Sequence, residues 1–196
     1  MSRKMIAALQ ISLDGFTQAS DRGEPEWVDS WADALHLISD VDAFVQGGRM
    51  HPAYGEHWSA VERDPTQVPP YMNRLPNERE VAYAKLAAKS PHYVFSRTLE
   101  RVAWPPNTQI VRDLEPLRVL KRQPGKNIYV VGGPTLVVAL LNADLLDELR
   151  LIVHPLLLAG GRPLFAGVEK RRALTFVGVE RTPSGKVILT YETRRG

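Results

Sequence analysis

The sequence predicts an α/β domain on a mostly parallel sheet with an antiparallel edge, and three observations carry that prediction. β-Branched runs alternate with helical stretches along most of the chain. One segment, NIYVVGGPTLVVALL from Asn127 to Leu141, gives a strand, a bare turn and an apolar helix in immediate succession. The chain then closes on two strand-like runs, Ala173 to Glu180 and Lys186 to Glu192, joined by Thr182-Pro183-Ser184-Gly185. Buried parallel strands read as continuous apolar runs, and a closing hairpin supplies the antiparallel edge. With 196 residues, 44% of them hydrophobic, the chain can bury a sizeable core, so one domain spanning 1–196 is expected.

Met5 to Leu13 forms the first strand, closed by an Asp14-Gly15 turn and a polar loop to Glu26. From Trp27 to Ser39, Val28, Trp31, Leu35 and Ile38 recur at helical spacing and predict an amphipathic helix. Asp42 to Gln46 is a short strand ending at Gly47-Gly48, and Pro52 and Gly55 keep any helix after it short or irregular. Val61 to Pro76 carries four prolines among charged residues and reads as a surface excursion, either a lid or a solvated loop. Asn77 to Ala88 is helical, His92 to Phe95 and Thr108 to Val111 are strands, and Leu114 to Arg122 is a helix that tolerates Pro116 in its first turn. Ile128 to Val131 and Glu148 to His154 are further strands, the second followed by a Gly160-Gly161 loop.

Composition narrows the function. Twenty-five basic and 22 acidic residues are interspersed, leaving a formal charge of +3. That balance suits anionic small molecules and lacks the concentrated basic stripe of a nucleic-acid binder. There are no cysteines, which excludes disulfides, thiolate metal sites and Cys nucleophiles. His51 and His57 lack the spacing of a metal pair, and no Ser-His-Asp order with a nucleophile elbow occurs, so neither a metal site nor hydrolysis is expected. The N-terminal MSRKMIAALQISLDG is interrupted by Gln10, Ser12 and Asp14, and no apolar run approaches the roughly 20 residues that span a bilayer. The chain is therefore read as soluble and cytoplasmic.

The chemistry concentrates at strand ends. After Val131, Gly132 and Gly133 leave the backbone uncovered and Pro134 opens a helix, whose free N–H groups favour negative charge; this makes a candidate cradle for a nucleotide pyrophosphate. Gly47-Gly48-Arg49 follows another strand, and Ser96-Arg97-Thr98 a third. Ligands of open α/β sheets bind at such carboxyl ends, and arginine matches phosphate bidentately, with a Ser-Arg-Thr triplet favouring a 2′-phosphorylated ribose. For each arginine, pairing with a surface carboxylate is the alternative.

Taken in order, ALQISLDGF (Ala8 to Phe16), GGRMHPAYGEHW (Gly47 to Trp58), VFSRTL (Val94 to Leu99), IYVVGGPTL (Ile128 to Leu136), LLDELRLIVHPLLLAGGRPLF (Leu145 to Phe165) and SGKVILTYE (Ser184 to Glu192) resemble the dihydrofolate-reductase-like family. The resemblance is to the branch of the riboflavin-biosynthesis reductase C-terminal domain and its stand-alone bacterial relatives. It implies a dihydrofolate-reductase-like central sheet of about eight strands flanked by helices, NADPH as hydride donor and a homodimer. By position it implies cofactor-phosphate contacts at Gly48 and Arg49, the 2′-phosphate at Ser96, Arg97 and Thr98, and the pyrophosphate at Val131, Gly132, Gly133, Pro134, Thr135 and Leu136. Ala8 and Leu9 would line the nicotinamide end.

His51 departs from the family pattern G-R-x-T, in which a threonine hydroxyl meets phosphate; an imidazole there either replaces that donor or weakens binding. Two readings stand for Asp14: a catalytic carboxylate near the reacting centre, or an Asp-Gly turn. Asp33 falls near the acidic position of the first helix that holds a pterin in dihydrofolate reductases, and Trp27 is placed to wall a substrate or to act as a hydrophobic staple. The expected activity is NADPH-dependent hydride transfer to a C=N or C=O bond of a small heterocyclic or sugar-like substrate. The alternative is a nucleotide-binding or regulatory dimer without turnover.

Overall fold

Among the described residues of a computed structural model, 3–18, 31–38, 40–102 and 104–193, the chain forms ten strands and four α-helices. The strands are β1 (Met5–Ser12), β2 (Phe16–Gln18), β3 (Val41–Gly47), β4 (His92–Phe95), β5 (Thr108–Val111), β6 (Asn127–Gly132), β7 (Glu148–His154), β8 (Arg162–Pro163), β9 (Leu174–Arg181) and β10 (Val187–Thr193). The helices are α1 (His51–Arg63), α2 (Glu78–Lys89), α3 (Glu115–Arg122) and α4 (Pro134–Asn142). Eight strands make one sheet in the order β5-β4-β3-β6-β1-β7-β10-β9, while β2 and β8 form a separate ribbon. β1 runs parallel to β7, and β4 parallel to both β3 and β5; β10 lies antiparallel between β7 and β9. The mixed, mostly parallel sheet and its antiparallel C-terminal pair follow the sequence expectation.

The chain divides into two compact units, Met1–Arg3 with Ser30–Val131 and Lys4–Asp29 with Gly132–Gly196. The core of the first is aromatic. Phe44 on β3 is fully buried, stacks on His92 at 4.7 Å between centroids and meets Tyr83 and Tyr129 edge-on. α1 buries Tyr54, Trp58 and Val61 along one stripe, and α2 answers with Tyr83, Ala84 and Ala87. Offset and edge-on packing of such rings adds to the burial of their area.

α1 is longer than the sequence suggested, a regular helix of 13 residues. Pro52 sits in its first turn, where no N–H partner is needed, and Gly55 passes the Trp104 carbonyl at a distance that ordinary packing allows. The expected helix from Trp27 to Ser39 resolves instead, over its described part, into 3-10 turns at Trp31–Asp33 and Leu35–Ile38. Leu35 and Ile38 are three apart, a spacing that a 3-10 turn serves as well as an α-helix does.

The excursion after α1 is fastened down. Pro70 O meets His57 Nδ1 at 2.5 Å, the Tyr71 hydroxyl donates to Glu56 at 2.8 Å, and Arg74 holds both Glu80 carboxylate oxygens at 2.8 and 2.9 Å. Glu80, itself buried, also closes a capping box with Asn77 at the start of α2.

In the second unit every residue of β1 is buried, and α4 buries Leu136, Val137, Val138, Leu140 and Leu141. The stretch after Gly15, expected as loop, instead pairs with residues 162–163: Phe16 lies opposite Pro163, Gln18 opposite Arg162, and Thr17 Oγ1 donates to Arg162 O at 3.2 Å. A strand of three residues leaves no period to read, which is why this ribbon escapes sequence analysis.

Candidate functional site

In the first unit two of the predicted segments meet. β3 ends at Gly47, and the Gly48 N–H donates to Phe95 O at 3.0 Å. A Cβ placed on Gly48 would lie 2.5 Å from both Cβ and Oγ of Ser96, so glycine is what lets the chain after β3 close on the chain after β4. Ser96 Oγ in turn accepts the N–H groups of Thr98 at 3.3 Å and Leu99 at 3.0 Å, which fixes the turn that carries Arg97. Gly48 and Arg49 are thus brought together with Ser96, Arg97 and Thr98, and both arginines are exposed.

A third cation joins them. Arg112, just beyond the end of β5, donates from Nη1 to Ser96 O at 2.6 Å. Sequence reasoning passed over it, although its position one residue past Val111 obeys the same strand-end logic as Arg49 and Arg97.

The turn leads into the N-terminus of α1, whose N-cap residue Met50 makes no side-chain capping bond. His51, the first helical residue, is only 3% exposed and its buried Nδ1 has no hydrogen-bond partner among the described residues. Burial lowers its pKa, so the ring is neutral at pH 7. Gln46 on β3 is fully buried, and neither of its amide atoms has a hydrogen-bond partner among the described residues. Such groups are exceptional in folded chains. Asp33 closes the turn Trp31–Asp33 and is half-buried, while Trp27 lies outside the described residues.

In the second unit Ala8 and Leu9 are buried on β1, and Leu9 Cδ2 lies 3.3 Å from where a Cβ of Gly132 would stand. Gly132 adopts φ +122°, a conformation that favours glycine, and its peptide bond to Gly133 is cis. Val131, next before it in β6, is half-buried. Gly133 is the N-cap of α4; a Cβ there would meet nothing within 4 Å, so its backbone is open to close approach. Pro134 offers no N–H, Leu136 and Val137 donate theirs to Gly133 O, and Thr135 presents an exposed hydroxyl that the Arg162 guanidinium contacts.

Asp14 accepts three hydrogen bonds: from Ser12 Oγ at 2.6 Å and Leu158 N at 3.2 Å on one oxygen, and from Ala159 N at 2.8 Å on the other. The Ser12 hydroxyl and these amides hold its pKa below the ordinary value, so the group is an ionised acceptor at neutral pH. Gln10 and His154, also passed over in the sequence, are buried at the carboxyl ends of β1 and β7, with Oε1 and Nε2 2.6 Å apart.

Comparison with known proteins adds three findings. The family model of the RibD C-terminal domain matches residues 3–188. The Bacillus subtilis (strain 168) protein YyaP is 31% identical over 194 residues, covering 96% of this chain and 94% of its own length; YwjB of the same organism is 26% identical over 187 residues, covering 92% and 93%. Among solved structures, a pyrimidine reductase-like protein from Corynebacterium diphtheriae superposes with a TM-score of 0.67 at 16% identity, over 99% of this chain and 93% of that one. Dihydrofolate reductase from Enterococcus faecalis, complexed with NADP(H), superposes with a TM-score of 0.56 at 12% identity, over 98% and 97%. At these identities the superpositions speak for the fold.

Proposed function

Because the chain belongs to the RibD C-terminal domain family, a reductase-like family, we propose that it is an NADPH-dependent reductase of a small heterocyclic or sugar-like substrate with a C=N or C=O bond. The observation that carries this reading is the closure of Gly48 on Ser96, which assembles Arg49, Arg97, Arg112 and two hydroxyls at strand ends of one unit. Among the described residues these three arginines pair with no carboxylate, and guanidinium groups so grouped fit phosphate. The open backbone at Gly133 fits a second phosphate-bearing segment.

In this reading Gly48, Arg49 and His51 bind cofactor phosphate, Ser96, Arg97 and Thr98 the 2′-phosphate, and Val131, Gly132, Gly133, Pro134, Thr135 and Leu136 the pyrophosphate. Ala8 and Leu9 line the nicotinamide end, and Trp27 and Asp33 the substrate. NADPH, when bound, supplies the hydride. Asp14 takes a narrower part than a proton donor: its ionised carboxylate orients the turn at residues 158–159, and solvent water provides the proton.

The test is NADPH oxidation at 340 nm against a panel of cyclic imines and carbonyl compounds, with thermal shifts for NADPH and NADH measured alongside. Turnover with any member supports the reductase. Tight NADPH binding with no turnover across the panel favours a nucleotide-responsive module, and no shift with either nucleotide removes the reading.

Arg97→Ala is expected to weaken NADPH at least about tenfold, the scale of a charge-assisted hydrogen bond, while NADH binding changes little. Calorimetric titration of both cofactors checks this. Equal losses would take Arg97 out of the 2′-phosphate role.

We propose further that the chain acts as a homodimer through β9. Among the described residues this strand ends the sheet order, with no strand paired on its outer side, and Phe176, Val177 and Val179 on it are 57, 54 and 63% exposed. Edges this apolar invite another strand, and a second copy gives a closed, two-fold pairing. Val179→Lys is expected to convert a dimer to monomer in sedimentation velocity at micromolar concentration; a wild-type monomer there would refute the proposal.

A further inference from the structure

Of the residues that the ends of β3, β4 and β5 bring together, His51 alone can change its charge near neutral pH. It opens α1 directly after Arg49 and Met50, yet it is almost wholly buried, and its Nδ1 has no hydrogen-bond partner among the described residues. Gln46, next to last in β3, is fully buried too, and both its amide atoms are likewise unpartnered among the described residues. Buried side-chain polar atoms are in the large majority hydrogen-bonded. Among the described residues of the first unit, those of Gln46 and His51 are the exceptions, and they flank the turn that carries Gly48 and Arg49.

The charged groups around the ring oppose a further positive charge on it. Arg49 stands on its own turn, Arg97 on the turn that Gly48 closes against, and Arg112 reaches that same turn through Ser96 O. The N–H groups that open α1 add positive potential. From β4 the buried His92 lies within electrostatic reach of His51. The hydroxyls of Tyr54 on α1 and Tyr83 on α2, which continue from the His92 ring, are uncharged at neutral pH because burial raises their pKa values. Burial also lowers the His51 pKa, so the free protein holds this ring neutral. An anion on the arginines reverses the sign of the local potential, and an opposite charge nearby favours the charged form of a base.

We propose that His51 couples anion binding to protonation: an anion held by Arg49, Arg97 and Arg112 draws a proton from solvent onto the buried imidazole, and the protein binds that anion more tightly as the pH falls below neutrality. The proposal rests on the cofactor reading above and deepens it. It concerns something that the threonine of the G-R-x-T pattern cannot do, because a hydroxyl has no charge to gain. Linkage fixes the sign. The complex holds the His51 proton to a higher pH than the free protein does, so affinity is flat at high pH and rises as the pH falls through the interval between the two titrations. The factor by which the anion favours the proton is the factor by which the proton favours the anion.

Sulfate and NADPH are the probes. Sulfate keeps its charge across the neutral range, whereas the 2′-phosphate of NADPH titrates there itself. Proton NMR of the imidazole C–H signals follows His51, assigned by the signal lost in His51→Thr or His51→Gln. Saturating sulfate is expected to raise the His51 midpoint by about one pH unit, a tenfold coupling, and Arg97→Ala to shrink that rise. Calorimetry of NADPH near pH 6.5, in two buffers of different ionisation enthalpy, is expected to show more proton uptake by the wild type than by His51→Thr. His92→Gln is expected to keep the excess, which separates His51 from the core imidazole behind it. A His51 midpoint that sulfate leaves in place overturns the proposal, and so does equal proton uptake in the wild type and His51→Thr. NADPH binding without either effect leaves the cofactor reading standing and removes this one. A sulfate-driven rise in a protein that does not bind NADPH keeps the coupling and ends the dinucleotide reading, and failure to bind either probe ends both.

Discussion

Gly48→Ala is expected to cost about 1–3 kcal/mol of stability and at least a tenfold loss of NADPH affinity, although it adds a single methyl group. The added carbon would stand 2.5 Å from Ser96 Cβ and Oγ, inside van der Waals contact with a β-carbon that cannot rotate away. Either the turn after β3 moves outward, carrying Arg49 with it, or the turn after β4 gives way and Ser96 Oγ loses the N–H groups of Thr98 and Leu99. Both routes separate the cations that the site needs together. For a chain of this size the stability term lowers the melting temperature by about 2–4 °C per kcal/mol. The control is Gly48→Ala combined with Ser96→Gly, which removes both clashing atoms. Recovery of melting temperature in the double variant, beyond the sum of the single effects, identifies the contact; a Gly48→Ala protein that melts and binds as the wild type does refutes it.

Acid is expected to remove about 3 kcal/mol of stability between pH 6.5 and pH 4, and the cause lies in one ring. His92 is fully buried, stacked on Phe44, with Nδ1 donating to Ser90 O at 3.0 Å and Nε2 accepting from the Tyr54 hydroxyl at 3.3 Å. Tyr83 completes the chain, its hydroxyl 2.9 Å from that of Tyr54. The assignment follows from the carbonyl, which can only accept, so the neutral ring carries its proton on Nδ1. Burial is the main cause that pushes the His92 pKa down to about 4, from 6.5 for a free imidazole, and His51 adds to it. Above pH 6.5 neither state takes a proton and the group is silent. As the pH falls the unfolded chain protonates first and folding is disfavoured, at 1.36 kcal/mol per pH unit; below about 4 the folded state protonates too and the loss stops growing. Urea unfolding followed by tryptophan fluorescence, with Trp104 6.1 Å from His92, reads this at pH 7.5 and 4.5. His92→Gln should flatten the dependence, and a variant that keeps the wild-type slope would place its origin elsewhere.

The sequence discloses its fold where periodicity runs long. The buried run Ile128 to Val131, the helical stretch Asn77 to Ala88, and the closing hairpin are local signals, and each matches an element of the structure. It is silent where one neighbour decides the outcome. Gly48 reads as a flexible turn, and only the approach of Ser96 shows that its missing side chain is a steric requirement. Arg112 and Arg162 look like ordinary surface charges until strand ends bring them to Ser96 O and Thr135. Asp14 supports two readings as a residue, and the amides it accepts come from residues more than 140 positions away. Over its described part, 31–38, the helix expected from Trp27 to Ser39 gives 3-10 turns for a related reason: apolar residues three apart fit more than one kind of turn.

The placement of β1 has a consequence for how the molecule is made. Ile6 finds its parallel partner at Glu148, and Met5 N bonds a carboxylate 142 residues onward. A ribosome therefore releases an eight-residue strand, buried throughout in the finished protein, long before its β7 neighbour exists. Closing so long a loop is slow, and an apolar strand left waiting is a substrate for chaperones and for aggregation. Yield in a heterologous host will be governed by how well that interval is protected.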